Sequence, residues 1–308
     1  MEDFKRAILP CVASLIGLKR LIAMTQEPVI HIFYHVVADE YIPHITPLYK
    51  PKTIAEFEAD LDYLQKHFRF IGMDDFRRHV IGEQRITQPS IVLSFDDGLR
   101  ELQGRSAEVL SRRGIPATLF VSSAFVDNRA MFYRHKAALI IHHHPELRKQ
   151  VLKIDYLHRA EIDAIAGRLG IDFTEYLRKY RPYLTVSDLQ EMSRHHYTIG
   201  AHSIDHPHFA LLSEDEQVRQ TLESCAYIKK TFRTDYTCFS FPFSADGVGE
   251  GFYRRVLPDV DFLFDISGVG SALDGRKISR IAMEKYGGDA RKSIARAYMT
   301  RWLKSFRT

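Results

Sequence analysis

A parallel α/β fold closed into a distorted barrel of about seven strands is what this sequence predicts, and two observations predict it. Short β-branched and aromatic runs recur along the chain with helical patterns between them, the order that a parallel sheet with crossover helices requires. Chemistry-bearing residues also collect where two of those runs stop, at the strand ends where barrels keep their reactive groups. At 308 residues the chain can bury one large core, so residues 1–308 are expected to form a single domain.

The strand-like runs are Val29 to Val37, Phe68 to Ile71, Ile91 to Phe95, Ala117 to Ser122, Tyr197 to His202, Thr237 to Pro242 and Asp261 to Ile266. Ile91 to Phe95 is the clearest of them, apolar and β-branched, and Gly98 stops it as a turn residue should. Phe57, Leu61, Leu64 and Phe68 recur at helical spacing, so Thr53 to Phe68 reads as a helix packed on the barrel wall. Ser213 to Phe232 repeats the pattern, and Glu216 three residues after Ser213 predicts a capping box. Residues 127–182 interrupt the alternation with a long helical pattern, expected to flank or cover one side of the mouth. Within it His142-His143-His144 reads as solvated surface, because successive residues on a helix point in different directions.

Hydrophobic residues make up 45% and charged residues 27% of the chain, the balance of a soluble globular protein. A net charge of +4 is too mild to imply nucleic acid. Cys11, Cys225 and Cys238 are odd in number and lack metal-ligand spacing, which argues for a reducing compartment. A cytoplasmic location, at or near the inner membrane surface, is therefore expected over a secreted or periplasmic one. The apolar run Ala7 to Leu18 is too short to span a bilayer, and Glu2 and Asp3 offset Lys5 and Arg6 where a leader would be positive. Residues 1–25 are expected to hold an apolar N-terminal helix that covers the barrel or lies on a membrane. Residues 289–308 carry no acid after Asp289 but hold Arg291, Lys292, Arg296, Arg301, Lys304 and Arg307, with Ile294, Tyr298, Trp302 and Phe306 every four residues. This basic amphipathic helix is expected to pack its aromatic stripe on the barrel, with peripheral membrane contact as the alternative.

Two adjacent carboxylates, Asp96 and Asp97, follow the run Ile91 to Phe95, and Ala201-His202-Ser203-Ile204-Asp205-His206 follows a later one. Two imidazoles and one carboxylate leave a coordination position open for water, the arrangement of a catalytic divalent metal. The second carboxylate is then free to act as a base. Capping of a helix accounts for one aspartate at a strand end; it does not account for two.

Ser94-Phe95-Asp96-Asp97-Gly98 and His202-Ser203-Ile204-Asp205-His206 resemble the first and second motifs of the polysaccharide deacetylases, the NodB-homology carbohydrate esterases with a distorted (β/α) barrel. The resemblance implies Asp96 as general base and Asp97, His202 and His206 as ligands of one divalent ion, zinc first, with cobalt, nickel or manganese as alternatives. Two features depart from the pattern. The family's third motif usually carries an arginine before a proline and an aromatic residue, whereas here the stretch is Ser240-Phe241-Pro242-Phe243-Ser244; Pro242 and Phe243 remain candidates for the substrate groove. No histidine follows His208, so the family's late general acid has no counterpart. Phe33-Tyr34-His35 is similar to the Tyr-His of a permuted branch that includes poly-N-acetylglucosamine deacetylases, which implies His35 as general acid. Arg280 and Glu284, in a stretch resembling the family's closing strand, are candidates for orienting the base or binding substrate.

These readings converge on a metal-dependent hydrolase that removes N-acetyl groups from N-acetylhexosamine units of a bacterial glycan or glycan precursor. The same residues serve an O-acetyl esterase, or a deformylase-like hydrolase on a lipid- or nucleotide-linked aminosugar. A glycan-binding barrel without turnover is the rival of a different class.

Overall fold

The computed structural model of the chain describes residues 16–195, 197–284 and 289–306. One sheet contains β1 Val29–Tyr34, β2 Arg69–Phe70, β3 Ser90–Phe95, β4 Ala117–Val121, β5 Tyr197–Ala201, β6 Cys238–Ser240, β7 Phe262–Asp265, β8 Ser271–Ala272 and β9 Lys277–Ala282. The order β1-β3-β4-β5-β6-β7-β9 is parallel throughout, and β9 pairs back onto β1 with Arg280 opposite His31. The sheet is thereby a closed barrel of seven parallel strands. Among the described strands only β8 runs antiparallel, against the first half of β9.

One strand assignment differs from the sequence reading. Phe68 to Ile71 does not form a full wall strand, because β2 lies only against Ser90 and Ile91 and yields the same edge to β4 from Leu93 onward. The seventh wall strand is β9, whose Lys277, Ser279 and Arg280 break up the apolar run that marks the others.

Side chains alternate across each strand. Val29, Val92, Phe120, Phe262, Phe264 and Ile278 pack together inside the barrel, with Met73 and Phe76 of the helix Met73–Val80 against them. Gly200 contributes no side chain there, since a Cβ would lie 2.6 Å from the Phe120 ring. The alternate residues Ile30, Ile91, Leu93, Leu119, Ile199 and Leu263 join Phe57, Leu61 and Leu64 of the surrounding helices in the outer core. Helix Ile54–His67 starts at the full capping box of Thr53 and Glu56. Helix Glu214–Phe232 has half of the expected box. Ser213 accepts from the Glu216 N–H, but Arg219 and Gln220 take the Glu216 carboxylate.

Residues 127–182 form helices Tyr133–His143, Arg148–Val151, Ala160–Leu169 and Phe173–Tyr180. Their core of Leu139, Ile140, Val151 and Ile162 is continuous with Val36, Ile45 and Leu99, which follow the ends of β1 and β3. The insertion is therefore seated on the mouth, and His142 and His143 are exposed on its outer side. Helix Ala290–Lys304 buries Ile294 and Tyr298, half-buries Trp302 and leaves Phe306 70% exposed. The expected stripe thus packs on the barrel over its first half. Helix Leu18–Thr25 lies against it with Leu21 buried. The earlier part of the expected N-terminal helix, Cys11 and Arg307 fall outside the described residues. No described helix is long and apolar enough to cross a membrane.

Candidate active site

Strand phase decides which side chains reach the mouth. Val92, Ser94 and Asp96 share one phase, and Phe33 and His35, Gly200 and His202, and Ile278 and Arg280 share the equivalent inward phase on their own strands. Asp97 is out of phase, and its backbone corrects this with φ 73, a left-handed conformation that a non-glycine residue adopts at a cost. Gly98 continues the turn at φ 65, and a Cβ there would meet Val121 Cγ1 at 2.8 Å. Ser203 at φ 65 and His206 at φ 61 turn the second motif back in the same way, with the Ser203 hydroxyl accepting from the His206 N–H at 3.0 Å.

The two motifs meet. Ligand atoms of Asp97, His202 and His206 all lie within 4.8 Å of one another, and all three residues are buried. The Nε2 atoms of His202 and His206 are 3.5 and 3.1 Å from Asp97 Oδ1, without hydrogen-bond alignment, so that oxygen is a buried acceptor lacking a donor. His202 Nδ1 donates to the Ser240 carbonyl at 2.8 Å, which fixes the tautomer and directs the Nε2 lone pair at the gap. Burial pushes His202 down to about 4, so the ring is neutral and its lone pair is available. Burial acts against ionisation of Asp97 too, but the imidazoles of His206, His35 and His202 hold its carboxyl well below the usual range. Two imidazole nitrogens and a carboxylate oxygen that lacks a donor form a donor set that fits one divalent ion.

Asp96 stands beside this set in a different environment. Arg280 grips it with two parallel bonds, both 2.7 Å, and also donates to Ser94 Oγ at 3.1 Å and Ser240 Oγ at 2.6 Å. The guanidinium lies 4.3 Å from the Phe33 ring centroid and 5.1 Å from that of Phe120. Against the effect of burial, Arg280, then His202 and His35, keep the Asp96 carboxyl below its ordinary value. Of the two roles expected for Arg280, contact with substrate is excluded by position: the side chain is 0% exposed and its forks are committed beneath the aspartate. Orienting the base is the role this geometry permits.

Glu284 does the corresponding work for His35. Its Oε2 is 2.6 Å from His35 Nδ1, and its Oε1 accepts from the His35 and Val36 N–H groups at 3.0 and 3.1 Å. Burial lowers the imidazole, but the Glu284 carboxylate, with Asp97 and Asp96 behind it, raises it overall to about 9. His35 is thus a cation at neutral pH, and a third of its side chain is open to solvent.

Phe243, at φ 59, and the buried Pro242 border the same mouth. The Phe243 ring is 5.0 Å from the His206 ring, and Phe132 of the insertion is 4.2 Å from it. Sequence reasoning missed Phe132, Ser94 and Ser240. Only the inward phase of the two serines could have signalled their part; nothing in the pattern of the insertion marks Phe132.

The family model for polysaccharide deacetylases matches residues 83–248, a span that contains Asp96, Asp97, His202 and His206 and more than half of the chain. This protein belongs to the polysaccharide deacetylase family. A polysaccharide deacetylase fold is also what the solved structures share with it. IcaB from Ammonifex degensii has 16% identity and a TM-score of 0.59, covering 88% of this chain and 98% of its own. A de-N-acetylase from Aggregatibacter actinomycetemcomitans has 13% identity and a TM-score of 0.59, covering 86% and 99%. The Streptococcus pyogenes deacetylase PplD has 13% identity and a TM-score of 0.57, covering 82% and 92%. No curated protein matches the chain by sequence. As a polysaccharide deacetylase of the NodB-homology carbohydrate esterases, the chain is a hydrolase of acetylated glycans.

Proposed function

We propose that this deacetylase removes N-acetyl groups from N-acetylhexosamine units of a bacterial glycan or glycan precursor, with one divalent ion, zinc first, held by Asp97, His202 and His206. The observation that carries the reading is the pairing of opposite charges on either side of the donor set. Arg280 keeps Asp96 ionised, and Glu284 keeps His35 protonated.

A divalent ion in that donor set would acidify a bound water and polarise the acetyl carbonyl. Asp96, anionic because of Arg280, takes the proton from the attacking water. Oxyanion charge needs a donor. The Phe241 and Ser244 N–H groups are committed to the Phe264 and Pro242 carbonyls, which leaves the Phe243 N–H as the backbone candidate. His35 then gives its proton to the departing nitrogen. An amine leaves only when protonated, whereas an alcohol needs less help, so a cationic His35 favours the N-acetyl over the O-acetyl reading. The name of the Aggregatibacter neighbour, a de-N-acetylase, is in keeping with this.

The test is Asp96→Asn assayed for acetate release from a chitooligosaccharide and aminosugar panel, with metal content measured alongside. Loss of turnover by about 10²-fold or more with metal still bound is expected. Full activity in that variant would remove Asp96 as the base.

A further inference from the structure

We infer that Tyr156 of the insertion and Gln220 of helix Glu214–Phe232 are positioning residues for His206, which they hold in place by clamping its neighbour Asp205. The inference rests on the reading of His206 as a metal ligand with Asp97 and His202. The Tyr156 hydroxyl is within hydrogen-bond distance of both Asp205 carboxylate oxygens, at 2.9 and 2.8 Å. Gln220, from a different element, donates its Nε2 to the first of them at 2.8 Å and accepts from the Ile204 N–H at 2.9 Å. Arg159 adds a counter-charge 3.8 Å from the second oxygen and lies 4.0 Å over the Tyr156 ring. Tyr156 and Gln220 are 5% and 1% exposed, and hydrogen bonds to a carboxylate are strongest where water is kept away.

The loop from His202 to His206 needs such a clamp. Ser203 and His206 are left-handed, at φ 65 and 61, and residues other than glycine stay in that region only where their surroundings over-determine it. Ser203 and Ile204 have backbone support, their carbonyls accepting from the Ser123 and Ala124 N–H groups at 3.2 and 2.9 Å. Asp205 is held through its side chain, and the chain enters His206 from it. Turning the Asp205 backbone would carry the His206 imidazole away from Asp97 Oδ1, which lies 3.1 Å from its Nε2. A contact that served only to fasten the insertion would have no use for Gln220, which belongs to the helices around the barrel and grips the same carboxylate together with the adjacent N–H. The insertion also touches the imidazole itself, through the Phe132 ring at 4.2 Å. Outer partners that orient a metal ligand typically carry about 10- to 100-fold in metal affinity.

The test uses the full chain and two variants. Tyr156→Phe removes the hydroxyl and keeps the ring, which packs edge-on 6.2 Å from Tyr133. Ile162→Val, at a position 0% exposed in the core of the insertion, loosens the insertion without touching the clamp. With chelator present, hydrogen–deuterium exchange is read at the Ile204 and His206 amides, both of which are hydrogen-bonded. Exchange there should be at least about tenfold faster in Tyr156→Phe than in wild type, and unchanged in Ile162→Val. With zinc titrated against a competing chelator, Kd should rise at least about tenfold in Tyr156→Phe, with lost acetate release recovered at saturating zinc, and should stay at the wild-type value in Ile162→Val. A wild-type chain that binds no zinc removes the metal reading, and faster exchange in Tyr156→Phe then still supports the clamp. Exchange unmoved by Tyr156→Phe, an unmoved Kd in a chain that does bind zinc, or equal effects of Ile162→Val overturn the inference.

Discussion

Replacing Arg280 with methionine separates what the arginine does for the base from what it does for the barrel. Methionine keeps most of the length and the contact with Phe33, Phe120 and Phe264, but removes both bonds to Asp96 and those to Ser94 and Ser240. The aspartate is 2% exposed, so the variant leaves a buried carboxylate without its cation. Removing one member of a buried pair typically costs about 3–5 kcal/mol, which for a domain of this size lowers Tm by roughly 5–8 °C. The pH dependence is the sharper signature. In the wild type the Asp96 carboxyl is depressed, so its contribution is complete above the unfolded value near ~3.9 and is lost only as pH falls below it. In Arg280→Met burial is opposed only by the smaller effects of His202 and His35 and should raise the carboxyl above its unfolded value, so stability is lost as pH rises between the two. Over that window the gap between wild type and variant should widen by about 1.4 kcal/mol per pH unit. Thermal melts from acidic to mildly alkaline pH, with and without chelator, read this directly. A gap that stays constant across the range would refute the account of Arg280 as the counter-charge of the base.

Glu284→Gln should move the alkaline limb of kcat/KM for an N-acetyl substrate from near pH 9 to lower pH, because burial of His35 is then opposed only by Asp97 and Asp96; an unmoved limb excludes His35 as the acid. Zinc at about a hundred times its Kd should stabilise the wild-type chain by about 2.7 kcal/mol, and His206→Gln should abolish that rise in melting temperature. Gly98→Ala should destabilise by more than about 1 kcal/mol, since it puts a side chain at φ 65 with its Cβ 2.8 Å from Val121 Cγ1; circular-dichroism melts at one pH suffice to check it.

The barrel and its first two motifs were legible because each depends on local pattern. Apolar runs mark buried parallel strands, and adjacent carboxylates after such a run stand out. The partners of those motifs, Arg280 and Glu284, were legible only through the resemblance to the family's closing strand and not from local pattern, because that strand meets the first strand only when the sheet has closed. Lys277, Ser279 and Arg280 disguise β9 as a loop, and no local signal ties Arg280 to Asp96, 184 residues away. The apparent defect at Ser240 is the other half of the same arrangement. Where the family usually places an arginine before Pro-Phe, this chain has a small hydroxyl residue whose Oγ accepts from Arg280 at 2.6 Å and whose carbonyl fixes His202 at 2.8 Å. A second arginine at Ser240 would have to share the same buried space with Arg280 and no further carboxylate, at the cost of an uncompensated cation. Serine there and arginine on the closing strand are therefore one solution. Its sequence trace is the common inward phase of Ser94, Asp96, Ser240 and Arg280, legible only once the strands have been placed around the ring.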